Sequence, residues 1–354
     1  MVLGGIKKKV ALAGVAMAGT GLACTGAVAW CAFAHSTRKL RTLRGKVVLI
    51  TGGSRGLGLA LAEEFGKRGA RLVLTARDVA SLERARSLLM ARDAVHREAD
   101  VLILSHDLRE PGEAEKLIQE ATSEFGGIDI LVNNAGVITV GPVENQSLQD
   151  FRDAMDVNFF SGLQCTMAVL PQMLARGDGS IVNITSIGGK IPVPHLLPYT
   201  ASKFASVGCS EGLTAELRSK GIYVTTVCPG LMRTGSHLSA NFTGDAAREY
   251  RWFSLVAGLP GVSTSARAAA RKIVRAAVAR KREIAITPQA MVAARVGGLC
   301  PTATILAMET MNRVLPSPIS GTTESRRGAE LRGMEVKRAA FLGNAAARRY
   351  NQPV

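Results

Sequence analysis

Aromatic side chains are scarce, 5% of 354 residues, too few for the stacking platforms that hold single-stranded nucleic acid. No nucleic-acid-binding motif appears either, so no nucleic-acid partner is expected. The six cysteines (Cys24, Cys31, Cys165, Cys209, Cys228, Cys300) form no CxxC pair and no metal-ligand spacing. No metal is therefore expected, and the thiols read as reduced and buried. No internal repeat and no Pro/Gly-rich linker interrupts 46–287, which reads as one domain. A hydrophobic content of 47% excludes a disordered chain.

Charge is unevenly placed. The net +16 resolves into +9 for residues 1–62, which hold no acid, −4 for the middle 204 residues and +11 for 267–354. Basic ends beside apolar runs suit an anionic membrane surface better than a DNA groove. Lys7, Lys8 and Lys9 precede 25 uncharged residues, Val10 to Ala34, and Arg38, Lys39, Arg41, Arg44 and Lys46 follow. A helix of that length rises about 37 Å, enough to cross a bilayer core with tilt. Residues 1–45 therefore read as an N-terminal membrane anchor with the following domain facing the cytosol, the side of the heavier basic flank. A cleaved signal peptide is disfavoured because its apolar stretch runs about 7–15 residues. An Ala/Gly-rich helix lying on lipid or protein is the other alternative.

From Lys46 short apolar runs alternate with amphipathic stretches. Strands are expected at 47–51, 71–75, 101–104, 128–132, 180–185, 222–228 and 283–287, and helices at 57–68, 81–90, 113–125, 151–174, 199–218 and 266–280. Strands alternating with helices of this length predict an α/β fold, a doubly wound parallel sheet of about seven strands. Beyond it, 288–315 reads as an apolar or amphipathic helical extension, an interfacial or homodimer-packing helix pair rather than a second span. Residues 316–354 read as a basic, loose tail.

Gly52, Ser54, Arg55, Gly56, Leu57 and Gly58 lie between the first strand and first helix. Glycines at 52, 56 and 58 permit a tight turn and close backbone approach to a pyrophosphate at the positive end of the helix. The second strand ends in Ala76 and Arg77, with Asp78 one step late. An acid at that place favours a ribose hydroxyl and an Arg a 2′-phosphate; with Arg55 nearby, two cations and no acid point to NADP(H). Asn134, Ala135 and Gly136 follow the fourth strand, Asn158 lies on the next helix, Ser186 ends the fifth strand, and Tyr199 and Lys203 share a helix face at i, i+4. Pro229 and Gly230 follow the sixth strand. A tyrosine used as acid or base near neutral pH needs positive charge beside it, which Lys203 supplies. Ser186 can then hold and polarise a carbonyl oxygen while Tyr199 donates the proton.

TGxxxGxG at 51–58, NNAG at 133–136, a Ser thirteen residues before YxxxK, and Cys228-Pro229-Gly230 together resemble the short-chain dehydrogenase/reductase family over 46–287. The resemblance implies a Rossmann-fold oxidoreductase acting on a CH–OH group, with Asn158, Ser186, Tyr199 and Lys203 as its catalytic set. It further implies that Lys203 binds the nicotinamide ribose, Asn158 holds a water of the proton relay, Asp107 contacts adenine, Asn134 lines the cofactor channel, and Thr234 bonds the carboxamide. In the family the segment after the sixth strand covers the substrate. Here it is 232–261, which contains Phe242, Trp252, Phe253, Leu255 and Leu259. With the apolar 191–197 loop it predicts a small lipophilic carbonyl or alcohol substrate, in the manner of the membrane-bound hydroxysteroid and retinoid dehydrogenases. A 3-oxoacyl or 3-ketosphingoid reductase of lipid metabolism is the alternative within enzymes, and a membrane-tethered NADPH-binding scaffold the alternative outside them. His195 reads as a loop histidine, touching substrate or solvated; Cys209 reads as core, and His106 as the cap of the third strand.

Overall fold

In a computed structural model, residues 43–259, 261–334 and 337–352 are described. The expected anchor lies outside them. Among the described residues no helix is long and apolar enough to cross a membrane.

Seven parallel strands form the main sheet: β1 (Val47–Thr51), β2 (Arg71–Ala76), β3 (Val101–Ser105), β4 (Ile130–Asn133), β6 (Gly179–Ile184), β7 (Ile222–Cys228) and β11 (Glu283–Ala285), in the order β11-β7-β6-β4-β1-β2-β3. Both faces are covered, so strand residues are apolar almost without interruption yet divide by parity. Val48 and Ile50 of β1, with Leu72 and Leu74 of β2, enter one core with the helices α1 (Gly56–Gly66), α2 (Val79–Ala91) and α8 (Ala266–Val278). Val47, Leu49 and Val73 enter the other, with α3 (Glu113–Phe125) and the helix α5 (Ser161–Arg176). The strand order reverses between β1 and β4, opening the crevice at their carboxyl ends where open α/β sheets bind ligands.

The helix expected over 151–174 is two helices. α4 (Leu148–Met155) and α5 are joined by a π-turn over Asp156–Phe160. That turn carries Asn158, whose side chain bonds to a neighbouring loop. π-turns recur at functional positions for this reason: one extra residue re-aims a side chain. Tyr199 and Lys203 sit on α6 (Leu197–Leu217), which starts at a Pro in its first turn.

After β7 the chain forms β8 (Met232–Arg233), β9 (Asn241–Thr243) and α7 (Ala246–Gly258). β8 pairs with β10 (Thr264–Ser265), and β9 pairs in parallel with β5 (Thr139–Val140). The aromatics expected to face substrate instead pack on one another here. Phe242 and Phe253 are buried, with ring centroids 5.8 Å apart, and Tyr250 lies 5.3 Å from Phe242. Trp252, Leu196 and Ile138 border this cluster and remain half-buried.

Two helices follow β11, α9 (Pro288–Leu299) and α10 (Pro301–Asn312), with Leu299 and Leu306 strongly exposed. Cys300 between them is exposed, against the expectation of burial, whereas Cys165 and Cys228 are buried. The tail expected to be loose is held on the domain. β12 (Ser325–Arg327) pairs antiparallel with β9, and Asn145, fully buried, bonds the backbone of residues 319 and 322. Leu331 is completely covered, and α11 (Lys337–Arg349) leads to Tyr350, also buried. The basic composition of this stretch hides a few apolar anchors and backbone pairings that decide its placement.

Candidate active site

Each piece of the crevice is positioned by an identifiable contact. Thr51, at the end of β1, accepts the backbone N–H groups of Asn134 and Ala135 on its hydroxyl at 2.9 and 3.0 Å. Asn134 returns its side-chain amide to the carbonyls of Thr51 and Gly52 at 3.0 and 3.2 Å. The glycine turn and the loop after β4 are thereby one unit. Gly52 and Gly56 take positive φ, and a Cβ on Gly58 would stand 2.1 Å from the Gly52 carbonyl oxygen. No other residue fits at 58, since helix α1 must approach its own entry turn this closely. Leu57 is buried against the core beneath. Gly230 is similarly confined, 2.7 Å from the Thr287 hydroxyl for an added Cβ, and Pro229 accepts the Ile187 N–H at 2.8 Å.

At the adenosine end, Asp78 is consumed as the N-cap of α2, accepting from Ala80 and Ser81 at 3.2 Å each. No carboxylate is thus left at the strand end. Arg77 is half exposed and sits 3.8 Å from Asp107, which a second guanidinium, Arg109, also clamps. These arginines hold the Asp107 carboxyl below its ordinary pKa, the Arg109 hydrogen bond most of all. Partial loss of water, then the charges of Arg77 and Arg327, lowers the pKa of Arg55. Cations therefore crowd this end. Arg327, on β12, is one that sequence order conceals, because it lies 250 residues beyond Arg77.

Ser186, Tyr199, Lys203 and Asn158 converge. A Cβ placed on Gly188 would lie 3.5 Å from both the Ser186 hydroxyl and the Tyr199 ring; one on Gly136 would lie 3.0 Å from Asn158 Oδ1 and 3.8 Å from Lys203 Nζ. Ser186 accepts the Gly188 N–H at 3.0 Å, which fixes its rotamer. Loss of water raises the pKa of Tyr199 while a hydrogen bond with Ser186 pulls it down. Lys203 is buried, donates to the Ile184 carbonyl at 3.0 Å, and has its pKa lowered by burial to about 8. Its ammonium lies 5.7 Å from the Tyr199 ring centre. Asn158 uses its whole amide, accepting from Val137 N–H at 2.8 Å and donating to the Val137 carbonyl at 3.1 Å and to Ser202 at 2.9 Å. Beside it a cavity of about 30 Å³, lined by Asn133, Asn183, Thr166 and Ser206 together with Phe159, Leu163 and Leu213, is large enough for a water molecule. Cys209, expected in the core, is half-buried on the wall of this cavity.

Several participants carry no motif. Ser202 holds Asn158. His195 is not a solvated loop residue: it is buried at φ +60° with Nδ1 2.8 Å from Glu249, a carboxylate with no exposure. Glu249 also accepts the indole N–H of Trp252 at 2.5 Å. His106 lies between Glu113 at 2.8 Å and Glu120 at 3.5 Å. Thr234 accepts the Gln352 side-chain amide on its carbonyl at 3.2 Å, and Gly56 donates its N–H to the Tyr350 carbonyl at 2.8 Å. Partners such as 195 with 249 and 56 with 350 are too far apart in the chain for any local signal to pair them.

The crevice can seat a dinucleotide across β1 and β4 and present Ser186, Tyr199 and Lys203 to a carbonyl at its nicotinamide end. Comparison with known proteins gives the same picture. The model of the short chain dehydrogenase family matches residues 46–242. A dehydrogenase/reductase SDR family protein 7-like of Anopheles gambiae is 37% identical over 251 residues, 71% of this chain and 78% of that protein. Ketoacyl reductase HetN of Nostoc is 34% identical over 191 residues, 54% of this chain and 65% of that one. The crystal structure of a short-chain dehydrogenase from Streptomyces avermitilis superposes with a TM-score of 0.63 at 29% identity, covering 76% of this chain and 98% of that one. With a family model matching more than half its length and a relative sharing over a third of its residues across most of the fold, this chain belongs to the short-chain dehydrogenase/reductase family, oxidoreductases that use a nicotinamide cofactor.

Proposed function

We propose that the protein is an NADP(H)-dependent oxidoreductase that interconverts a ketone or aldehyde and an alcohol, with Tyr199 as the acid/base. The observation that carries this is the buried ammonium of Lys203 one helical turn from Tyr199, with Ser186 hydrogen-bonded to the phenol. The bound reduced nicotinamide supplies the hydride. Ser186 holds the carbonyl oxygen, and Tyr199, kept protonated by its raised pKa, delivers the proton as charge develops there. Lys203 would hold the nicotinamide ribose, and Asn158 anchors the loop at Val137. Gly52, Ser54, Gly56, Leu57, Gly58, Asn134, Ala135 and Gly136 would form the phosphate and ribose walls, Pro229, Gly230 and Thr234 the nicotinamide end, and Asp107 the adenine side.

Preference for NADPH rests on Arg77 and Arg55 and on the diversion of Asp78 into a helix cap. A charge-assisted contact is worth about 1.5–3 kcal/mol, or tens- to hundreds-fold in discrimination. Purified enzyme assayed with NADPH and NADH against a panel of aliphatic, steroidal and 3-oxoacyl ketones tests both halves of the proposal. Arg77→Ala is expected to bring the kcat/KM ratio of the two cofactors toward unity; an unchanged ratio counts against the assignment. A lipophilic substrate is supported by the half-buried Ile138, Leu196 and Trp252 bordering the aromatic cluster after β7, and the name of the Nostoc relative favours a 3-oxoacyl reductase as the second reading. On the sequence grounds above we also propose that residues 10–34 anchor the enzyme in a membrane with its catalytic domain in the cytosol. Release from membranes by carbonate washing would remove the spanning anchor.

A further inference from the structure

Residues 350–352 lie across the two loops that a dinucleotide must join. On one side is the glycine turn. Gly56, the first residue of α1, gives its N–H to the Tyr350 carbonyl at 2.8 Å, and Asn351 gives its amide to the carbonyls of Ser54 and Ser81 at 2.9 Å each. On the other side is the segment after β7. Gln352 donates to the Thr234 carbonyl at 3.2 Å and accepts from Ser239 at 2.7 Å. Contact is close at both ends: a Cβ on Gly56 would stand 3.1 Å from Gln352 Nε2, and one on Gly235 would stand 2.9 Å from Gln352 Cγ and 2.6 Å from Ala347. Tyr350 and Gln352 are buried, so this is a seated segment and not a grazing contact.

The chemistry of the contact copies that of a phosphate. The N-terminal N–H groups of α1 are free donors at the positive end of a helix and take an anionic oxygen when one is offered. Here the Tyr350 carbonyl oxygen takes one of them. An N–H makes one strong hydrogen bond, so an anionic oxygen seated on the Gly56 N–H must first displace the Tyr350 carbonyl. We propose that the C-terminal segment 350–352 is a built-in competitor for the dinucleotide, a strap that occupies the phosphate cradle in the cofactor-free enzyme and leaves when the cofactor enters. The proposal rests on the dinucleotide reading above. The strap is uncharged at the contact and gains no helix-dipole energy of the kind a pyrophosphate gains, so it is suited to be displaced rather than to block permanently. Arg84, which donates to Asn351 Oδ1 at 3.3 Å, and Arg92, which donates to the Arg349 carbonyl, steady it from α2 and from the residue that follows α2.

A strap closed more than nine-tenths of the time would weaken apparent cofactor affinity about tenfold, since affinity scales with the open fraction. Two variants of the full enzyme separate this from misfolding. One ends the chain after Arg349. The other, Asn351→Ala with Gln352→Ala, keeps the buried Tyr350 and deletes only the side-chain bonds. NADPH binding measured by calorimetry on wild type and both variants, each first checked for an unaltered cooperative melt, is expected to be tighter in both, about tenfold in the truncation and less in the double variant. Hydrogen exchange of residues 346–352 is expected to speed up when NADPH is added to wild type. Equal affinity in all three proteins, or slower exchange of 346–352 with NADPH, overturns the strap and leaves the dinucleotide reading intact. Weaker binding in the variants makes the tail part of the cofactor site and equally overturns it. Failure of all three to bind NADPH or NADH removes the dinucleotide reading itself and the strap with it.

Discussion

Lys203→Met is expected to abolish turnover and yet to stabilise the protein. Lys203 is 4% exposed, and its ammonium donates to the Ile184 carbonyl. Burial alone brings its pKa from 10.5 to about 8. At about 1.4 kcal/mol per unit, keeping it charged at neutral pH costs the fold roughly 3 kcal/mol. For a base whose folded pKa is lowered, the folded state binds fewer protons than the unfolded one between about pH 8 and 10.5. Stability therefore rises with pH through that window, and the full cost is present below it. Methionine fills nearly the same volume without the charge and forfeits one hydrogen bond, worth about 1 kcal/mol. The net gain is about 2 kcal/mol at neutral pH, or roughly 4–8 °C in Tm for a domain of this size. Urea denaturation at about pH 7 and about pH 10 checks both magnitude and sign, because near pH 10 the cost carried by wild type falls to about 1 kcal/mol and the advantage of the variant disappears. A variant less stable than wild type at neutral pH, or a difference that ignores pH, would refute the reasoning. A buried cation kept at a stability cost is what a catalytic assignment for Lys203 requires.

Tyr199→Phe is expected to lower kcat by about 10²–10⁴-fold with NADPH affinity unchanged, since only the hydroxyl is lost; a variant with near-wild-type turnover would remove Tyr199 from proton transfer. Glu249→Ala strips the acceptor from both His195 and Trp252 in a site without solvent, and should destabilise by roughly 2–5 kcal/mol in urea titration, with Glu249→Gln milder because one acceptor survives. Equal loss in the two variants would refute this, because glutamine keeps the volume and one acceptor that alanine lacks.

The parallel sheet was legible because its strands are apolar on both faces and its helices are regularly spaced. β1, β7 and α3 coincide with their expected bounds, and the other strands and helices of the sheet layers agree to within about two residues, the bisected 151–174 helix aside. Gly58, Ser186, Tyr199 and Lys203 could be placed for a related reason. Each acts through a local rule: a glycine where backbone meets backbone, a residue at a strand end, a pair one helical turn apart.

What sequence could not reach is contact between distant segments. Asn158 interrupts a helix because its amide is taken by Val137 and Ser202, partners 21 and 44 residues away. Phe242, Trp252 and Phe253 read as a substrate-facing surface, but apolar character does not say which side of an element is covered, and Phe242 and Phe253 turned inward against each other and Tyr250. The basic tail was misjudged most, because composition counts charges while folding counts the few residues that find partners: Asn145 with residues 319 and 322, β12 with β9, Tyr350 in the core. Local propensity and periodicity thus determined the sheet and its helices, and motif resemblance named the residues proposed to be catalytic. Only the tertiary structure decided that Glu249 faces His195 and that the Tyr350 carbonyl lies on the Gly56 amide, since hydrogen bonds between groups 54 and 294 residues apart exist only after the chain has closed on itself.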